Sequence, residues 1–286
     1  MKTFVIVLAL TGMALFRASA QVSVDITTDQ DEFLPGEAVP LAVKITNQSG
    51  QQLHLGVDSS WLTFSVESVD GFAVVKNSEV PVQGAFDLFS SQAGTKMVDI
   101  EPYFQMNRMG RYKVTAVLHI KDWSVTIASQ PKIFDVVNGV KLWSQAFGMP
   151  SAGGMPEMRE FSLEKANYLR QQLRLYVQLT DASESRVFKV AALGPMVAFG
   201  YPEQQVDRAS QLNVLWQTGA QTFSYCLVSP DGTILRRDTY DLVNTRPKLK
   251  VDEDGNVSVA GGVRRVPASE IPAIQSPAAL PSTPIN

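Results

Sequence analysis

A period-two alternation of apolar and polar side chains, which stops and restarts along most of the chain, constrains its fold more than any other feature. Val22, Val24 and Ile26 alternate with Ser23, Asp25 and Thr27; Leu41, Val43 and Ile45 alternate with Ala42, Lys44 and Thr46, until Asn47-Gln48-Ser49-Gly50 ends the run. Successive side chains of a strand point to opposite faces, so this pattern puts one face on a core and leaves the other in water. Leu62, Phe64 and Val66 repeat it, as do Tyr112, Val114, Ala116 and Leu118, and Pro35-Gly36 and Asp70-Gly71 supply turns between runs. About six or seven short strands within residues 21–138 predict an antiparallel β-sandwich.

Asn138-Gly139 marks the expected end of this first domain, and residues 139–266 are expected to form a second β-rich domain of antiparallel hairpins. There Leu173, Leu175, Val177 and Leu179 alternate with Arg174, Tyr176 and Gln178, and Val187 to Leu193 start a partner strand. Ser229-Pro230-Asp231-Gly232 and Asp252-Glu253-Asp254-Gly255-Asn256 each separate two alternating runs, which is a strong short-range hairpin signal. The glycine-rich stretch 148–156 reads as a long loop or hinge. One segment is ambiguous: Ala166, Leu169, Leu173 and Tyr176 suit one face of a short helix, so strand is expected from about Gln172 and Ser162–Arg170 stays open. Residues 267–286 hold five of the 16 prolines without periodicity and read as a disordered tail.

The order of motifs in the first domain points further. Phe33-Leu34-Pro35-Gly36-Glu37 precedes a strand, Trp61 opens another that contains Phe64 and Val66, and Gly110-Arg111-Tyr112-Lys113-Val114 opens a late one. Over residues 21–138 this resembles bacterial immunoglobulin-like domains. The resemblance implies a core position for Trp61 and a tyrosine corner at Tyr112, with Val114 where antibody domains carry a cysteine. It implies a fold and no particular activity, since such sandwiches host many functions.

Residues 1–20 read as a cleaved secretory signal: Lys2, an apolar run from Phe4 to Phe16, then Ala18-Ser19-Ala20 before Gln21. An uncleaved anchor is the alternative. No cysteine follows that run to carry a lipid, and no later stretch reaches the ~20 apolar residues of a spanning helix, so the mature chain is expected without a transmembrane segment, in the periplasm or secreted. Removing Lys2 and Arg17 leaves 23 basic and 28 acidic groups, a net charge of −5. Residues 21–138 account for −6 of it and residues 139–286 for +1. Such a balance lacks the electrostatic footprint of a nucleic-acid binder.

Composition narrows the chemistry. The chain has one cysteine, Cys226, and two histidines, His54 and His119, so no internal disulfide and no three-histidine metal site can form. Cys226 lies between Tyr225 and Leu227 in a strand pattern and reads as a packed side chain; neither histidine has HxH or HExxH spacing. Serine-hydrolase and phosphate-loop motifs are missing. Asp252-Glu253-Asp254 lacks the spacing of an EF-hand and reads as a turn. No catalytic residue, metal or cofactor is therefore assigned. Arg246, Lys248 and Lys250 fall at i, i+2 and i+4 and would share one strand face, with Arg236-Arg237 and Arg264-Arg265 as neighbours if the hairpins pair in order. That face suits an anionic ligand or the acidic first domain; equally, Lys and Arg protect an edge strand from aggregation. Trp61 and Trp216 read as core, while Trp123 and Trp143 remain candidates for exposed stacking surfaces.

The function expected on these grounds is a non-catalytic binding or scaffolding role at the cell envelope, with a protein or glycan partner. The alternatives are a carbohydrate-active enzyme or its accessory domain, using two acids in a cleft, and a proteinase-inhibitor-like sandwich presenting Ser78–Gln92.

Overall fold

The computed structural model describes residues 22–149, 157–169 and 172–266, which are all-β. The expected signal at 1–20, the tail at 267–286 and residues 150–156 of the expected hinge lie outside the described residues. By its internal contacts the chain divides into two compact units, one running to Ala198 with Pro230–Thr233 added, the other comprising Phe199–Ser229 and the chain from Ile234 onward.

The first unit begins with ten strands: β1 (Val22–Thr27), β2 (Glu32–Phe33), β3 (Pro40–Asn47), β4 (Leu53–Leu55), β5 (Leu62–Ser68), β6 (Phe86–Leu88), β7 (Gln92–Asp99), β8 (Gly110–Ile120), β9 (Val125–Ala128) and β10 (Lys132–Val136). They form a sheet ordered β1-β3-β7, a second ordered β2-β10-β8-β5 with β9 on β8, and a short β4-β6 pair. All pairs are antiparallel except β2 with β10. The alternation explains the packing directly: Leu41, Val43 and Ile45 from β3 and Tyr112, Val114, Ala116 and Leu118 from β8 are each fully buried in one core. Trp61 joins that core and donates its indole N–H to the Val82 carbonyl at 2.9 Å. The Tyr112 ring stacks on Phe134, 5.7 Å between centroids.

Four further strands, β11 (Val140–Met149), β12 (Glu157–Leu169), β13 (Gln172–Asp181) and β14 (Val187–Pro195), form an antiparallel meander in the same unit. The division of the chain thus falls after Ala198, well beyond the expected boundary at Asn138-Gly139. Packing is the reason: Leu34 clusters with Ala166, Tyr176 and Val190, the Asp31 N–H donates to the Tyr168 carbonyl at 3.0 Å, and Glu37 bridges to Val190. Strand β11, which sequence reading left unassigned, takes up Gly148 and Met149, paired with Met158 and Glu157, so those two residues are strand and not hinge. Ser162–Arg170 resolves as far as Leu169 into β12. Its register shifts between Asn167 and Leu169, and the helix-like spacing runs through this irregularity into the separate strand β13, which holds Leu173 and Tyr176 and has its own shift between Leu175 and Tyr176.

The second unit holds β15 (Glu203–Val206), β16 (Leu212–Gln217), β17 (Thr222–Val228), β18 (Ile234–Asp241), β19 (Lys248–Val251), β20 (Val257–Ala260) and β21 (Val263–Arg264). One sheet runs β15-β16-β17-β18-β21, and β19-β20 is a separate ribbon. Every residue from Leu212 to Trp216 is buried, including Asn213, whose side-chain oxygen accepts the Tyr225 hydroxyl at 2.7 Å.

Candidate functional site

The ribbon β19-β20 carries the basic residues singled out from the sequence. Lys248 and Lys250 stand opposite Ala260 and Ser258, share a strand face and are exposed. Between them Leu249 is half-buried and packs with Val259 against Leu215, Phe223 and Tyr225. Its N–H donates to a Glu203 carboxylate oxygen at 2.8 Å. One face of the ribbon is therefore fastened to the unit while the other presents two ammonium groups that make no ion pair among the described residues. Arg246 lies before the strand, with its guanidinium 5.1 Å from the centre of the Phe223 ring, so the expected row of three is a row of two with a stacked arginine beside it.

The neighbouring arginines are committed locally. The Asp238 side chain, 3% exposed, pairs with Arg236 Nε at 2.5 Å and Arg264 Nε at 2.8 Å. Asp241 takes Arg265 in a two-pronged pair at 2.7 and 2.6 Å, which holds its carboxyl below the usual range. Asp252-Glu253-Asp254-Gly255-Asn256 is the turn joining β19 to β20. Asp252 accepts the backbone and side-chain N–H groups of Asn256 at 2.7 and 3.0 Å, and these bonds lower its pKa. Among the described residues no three His, Cys, Asp or Glu groups cluster as a metal site would require.

The remaining candidates have structural surroundings. Cys226 is buried on β17, and burial pushes its thiol up to about 11. His54 Nδ1 meets Asp87 at 2.6 Å on the surface. His119 sits between the Thr126 and Thr63 hydroxyls at 3.1 and 3.3 Å and lines an open cleft of about 490 Å³ with Asp58, Ser60 and Lys121. Asp58 is the single carboxylate in that cleft, as Asp99 is in a groove of about 370 Å³ beside β7. Segment Ser78–Gln92 is anchored by buried Val80, Val82 and Leu88 and by the Trp61 bond, and most of its other residues are exposed. Trp216 is buried, Trp123 packs partly buried against the sandwich core, and Trp143 is half-buried, so the latter two offer less stacking surface than expected.

Sequence reading missed a buried polar cluster in the first unit. Glu37, 6% exposed, accepts the Gln30 side-chain amide on Oε1 and the Leu34 N–H on Oε2, both at 2.9 Å. Arg174 donates through Nη1 to the Gln30 carbonyl oxygen and lays its guanidinium 3.8 Å from the centre of the Tyr168 ring. Arg174 Nε and the Tyr176 hydroxyl are buried without a well-formed hydrogen bond, and Arg174 lies close enough to that hydroxyl to act on it. Desolvation pushes Glu37 up to about 7 against the pull of its two hydrogen bonds and of Arg174. It also raises Tyr176, to which the Glu37 charge adds. The signal was faint: Arg174 falls on the polar side of an alternating run, where a charge normally means water.

No family model matches the chain, and no curated protein sequence matches it. Among solved structures, the sporulation control protein Spo0M from Bacillus subtilis is similar at 11% identity over 72% of this chain and 78% of its own, with a TM-score of 0.30, too low to carry an argument.

Proposed function

We propose that this protein is an exported, non-catalytic binding or scaffolding component of the cell envelope, periplasmic or secreted, that engages an acidic protein or glycan partner. The observation that carries this reading is the β19-β20 ribbon, which presents Lys248 and Lys250 unpaired on one face while Leu249 and Val259 fasten the other. The anchored strand fixes the spacing of the two lysines in advance, so only their flexible stems have to be ordered on meeting an anionic group. The chain's one thiol is a buried group with a raised pKa, so it supports packing rather than nucleophilic attack. In this reading the first ten strands are an immunoglobulin-like sandwich. Support comes from the order β1-β3-β7 facing β2-β10-β8-β5, and from the Tyr112 hydroxyl, which donates to the Arg108 carbonyl at 2.5 Å, four residues upstream, as in a tyrosine corner.

The test has two parts. Fractionation of the native producer should recover the chain outside the cytoplasm with Gln21 at its amino terminus; a cytoplasmic chain starting at Met1 contradicts export. The purified mature chain should bind an immobilised acidic polysaccharide such as heparin, and Lys248→Glu with Lys250→Glu should weaken that binding roughly tenfold or more. Hydrolase activity lost on replacing one carboxylate, without unfolding, contradicts the non-catalytic reading.

A further inference from the structure

The segment Thr28–Val39, which supplies β2 and the core residues Phe33 and Val39 to the sandwich, also touches the β11–β14 meander, and one carboxyl lies at that contact. Glu37 bridges to Val190 on β14, and Leu34, three residues earlier, packs with Ala166, Tyr176 and Val190. Both Glu37 oxygens are held by neutral donors, Gln30 and Leu34. The nearby cation, Arg174 of β13, spends its Nη1 hydrogen bond on the far end of the Gln30 amide, so an ionised Glu37 has no direct counter-charge. A buried carboxylate without a paired cation favours protonation, or else the entry of water.

We propose that Glu37 is a proton-operated latch: protonated, it closes the contact between the sandwich and the β11–β14 meander, and ionised, it loosens that contact. The surrounding charges define its setting. Asp29 disfavours the carboxylate, Arg174 favours it, and Tyr176 faces it from β13 as a neutral hydroxyl. On β12 the Tyr168 ring carries Arg174. Asp31 is turned to Lys132 at 3.0 Å, and Glu32, raised by burial with Asp135 and Asp31 nearby, belongs to β2. On β14 the neighbours are Val187 and Val190, both within reach of a side chain at Gly36. Burial has already moved the Glu37 titration to about 7, so the latch works near neutrality.

Hydrogen–deuterium exchange of the full mature chain, corrected for intrinsic rates, tests this at pH 5.5 and 8.5. The amides of Asp31 and Leu34, bonded to the Tyr168 carbonyl and to Glu37, report the seam, and Leu41–Ile45 serve as an internal reference. Protection at the seam should fall roughly tenfold or more relative to the reference between the two pH values. In Glu37→Gln, which keeps an acceptor and removes the charge, that fall should vanish. In Arg174→Met, which removes the cation favouring the carboxylate, the midpoint should move to higher pH. A pH-independent seam in the wild type overturns the proposal, as does a fall that persists in Glu37→Gln or a midpoint that stays or drops in Arg174→Met.

Discussion

The raised pKa of Glu37 makes global stability depend on pH. The carboxyl titrates near 4.5 when exposed and near 7 in the fold, so between those values the folded state holds the proton more tightly than the unfolded one. Its contribution is complete below about pH 4.5, declines as pH rises to 7 and stays lost above it, a difference of about 3 kcal/mol. Urea unfolding at pH 5 and pH 8 should reveal that decline, and Glu37→Gln should remove most of it. Cys226 gives a second residue-scale expectation: buried and raised to about 11, it should resist iodoacetamide at pH 8 in the native chain and react readily in urea. Trp61, Trp216 and Cys226 were readable as core because each sits in an apolar strand run. Glu37 and Arg174 were not, since a charged residue beside a turn or on the polar side of a strand reads as solvent-facing until the contacting sheet is known.

Strands followed from the sequence where alternation was unbroken. Strands β1, β3, β5 and β8 bury every second residue in phase with the pattern, and the two Asp-Gly turns join β17 to β18 and β19 to β20 as expected. The pattern failed where tertiary context dominates: β11 buries little beyond Phe147, and the register shift in β12 interrupts the phase. Turn glycines allow a matched comparison at this scale. Gly50 and Gly56 have nearly equal positive φ, 82° and 79°, but a side chain at Gly50 meets open space while one at Gly56 would lie 2.5 Å from the Gly84 carbonyl oxygen. Gly50→Ala should cost about 1 kcal/mol from conformation alone, and Gly56→Ala clearly more, because backbone must move. Equal midpoint shifts in urea would contradict this account.

For the whole molecule, the all-β class was legible because both halves carry the period-two pattern and turn signals. The place where the chain divides was not. Asn138-Gly139 interrupts alternation, yet burial around Leu34, Tyr176 and Val190 holds the following meander to the sandwich, and only contacts distant in sequence reveal that. No described helix is long and apolar enough to cross a membrane. The proposed binding role then rests on a small fraction of the surface. Arg236, Arg264 and Arg265 are paired with Asp238 and Asp241, so Lys248 and Lys250, with the stacked Arg246 beside them, carry the binding charge of the ribbon in this account. The most direct measurement is the affinity of the mature chain for heparin across a salt series, in the wild type and in Lys248→Glu with Lys250→Glu. The account predicts wild-type binding that weakens as salt rises and falls roughly tenfold or more in the double variant, with folding unchanged. Binding of equal strength in both proteins, or none in either, would contradict it.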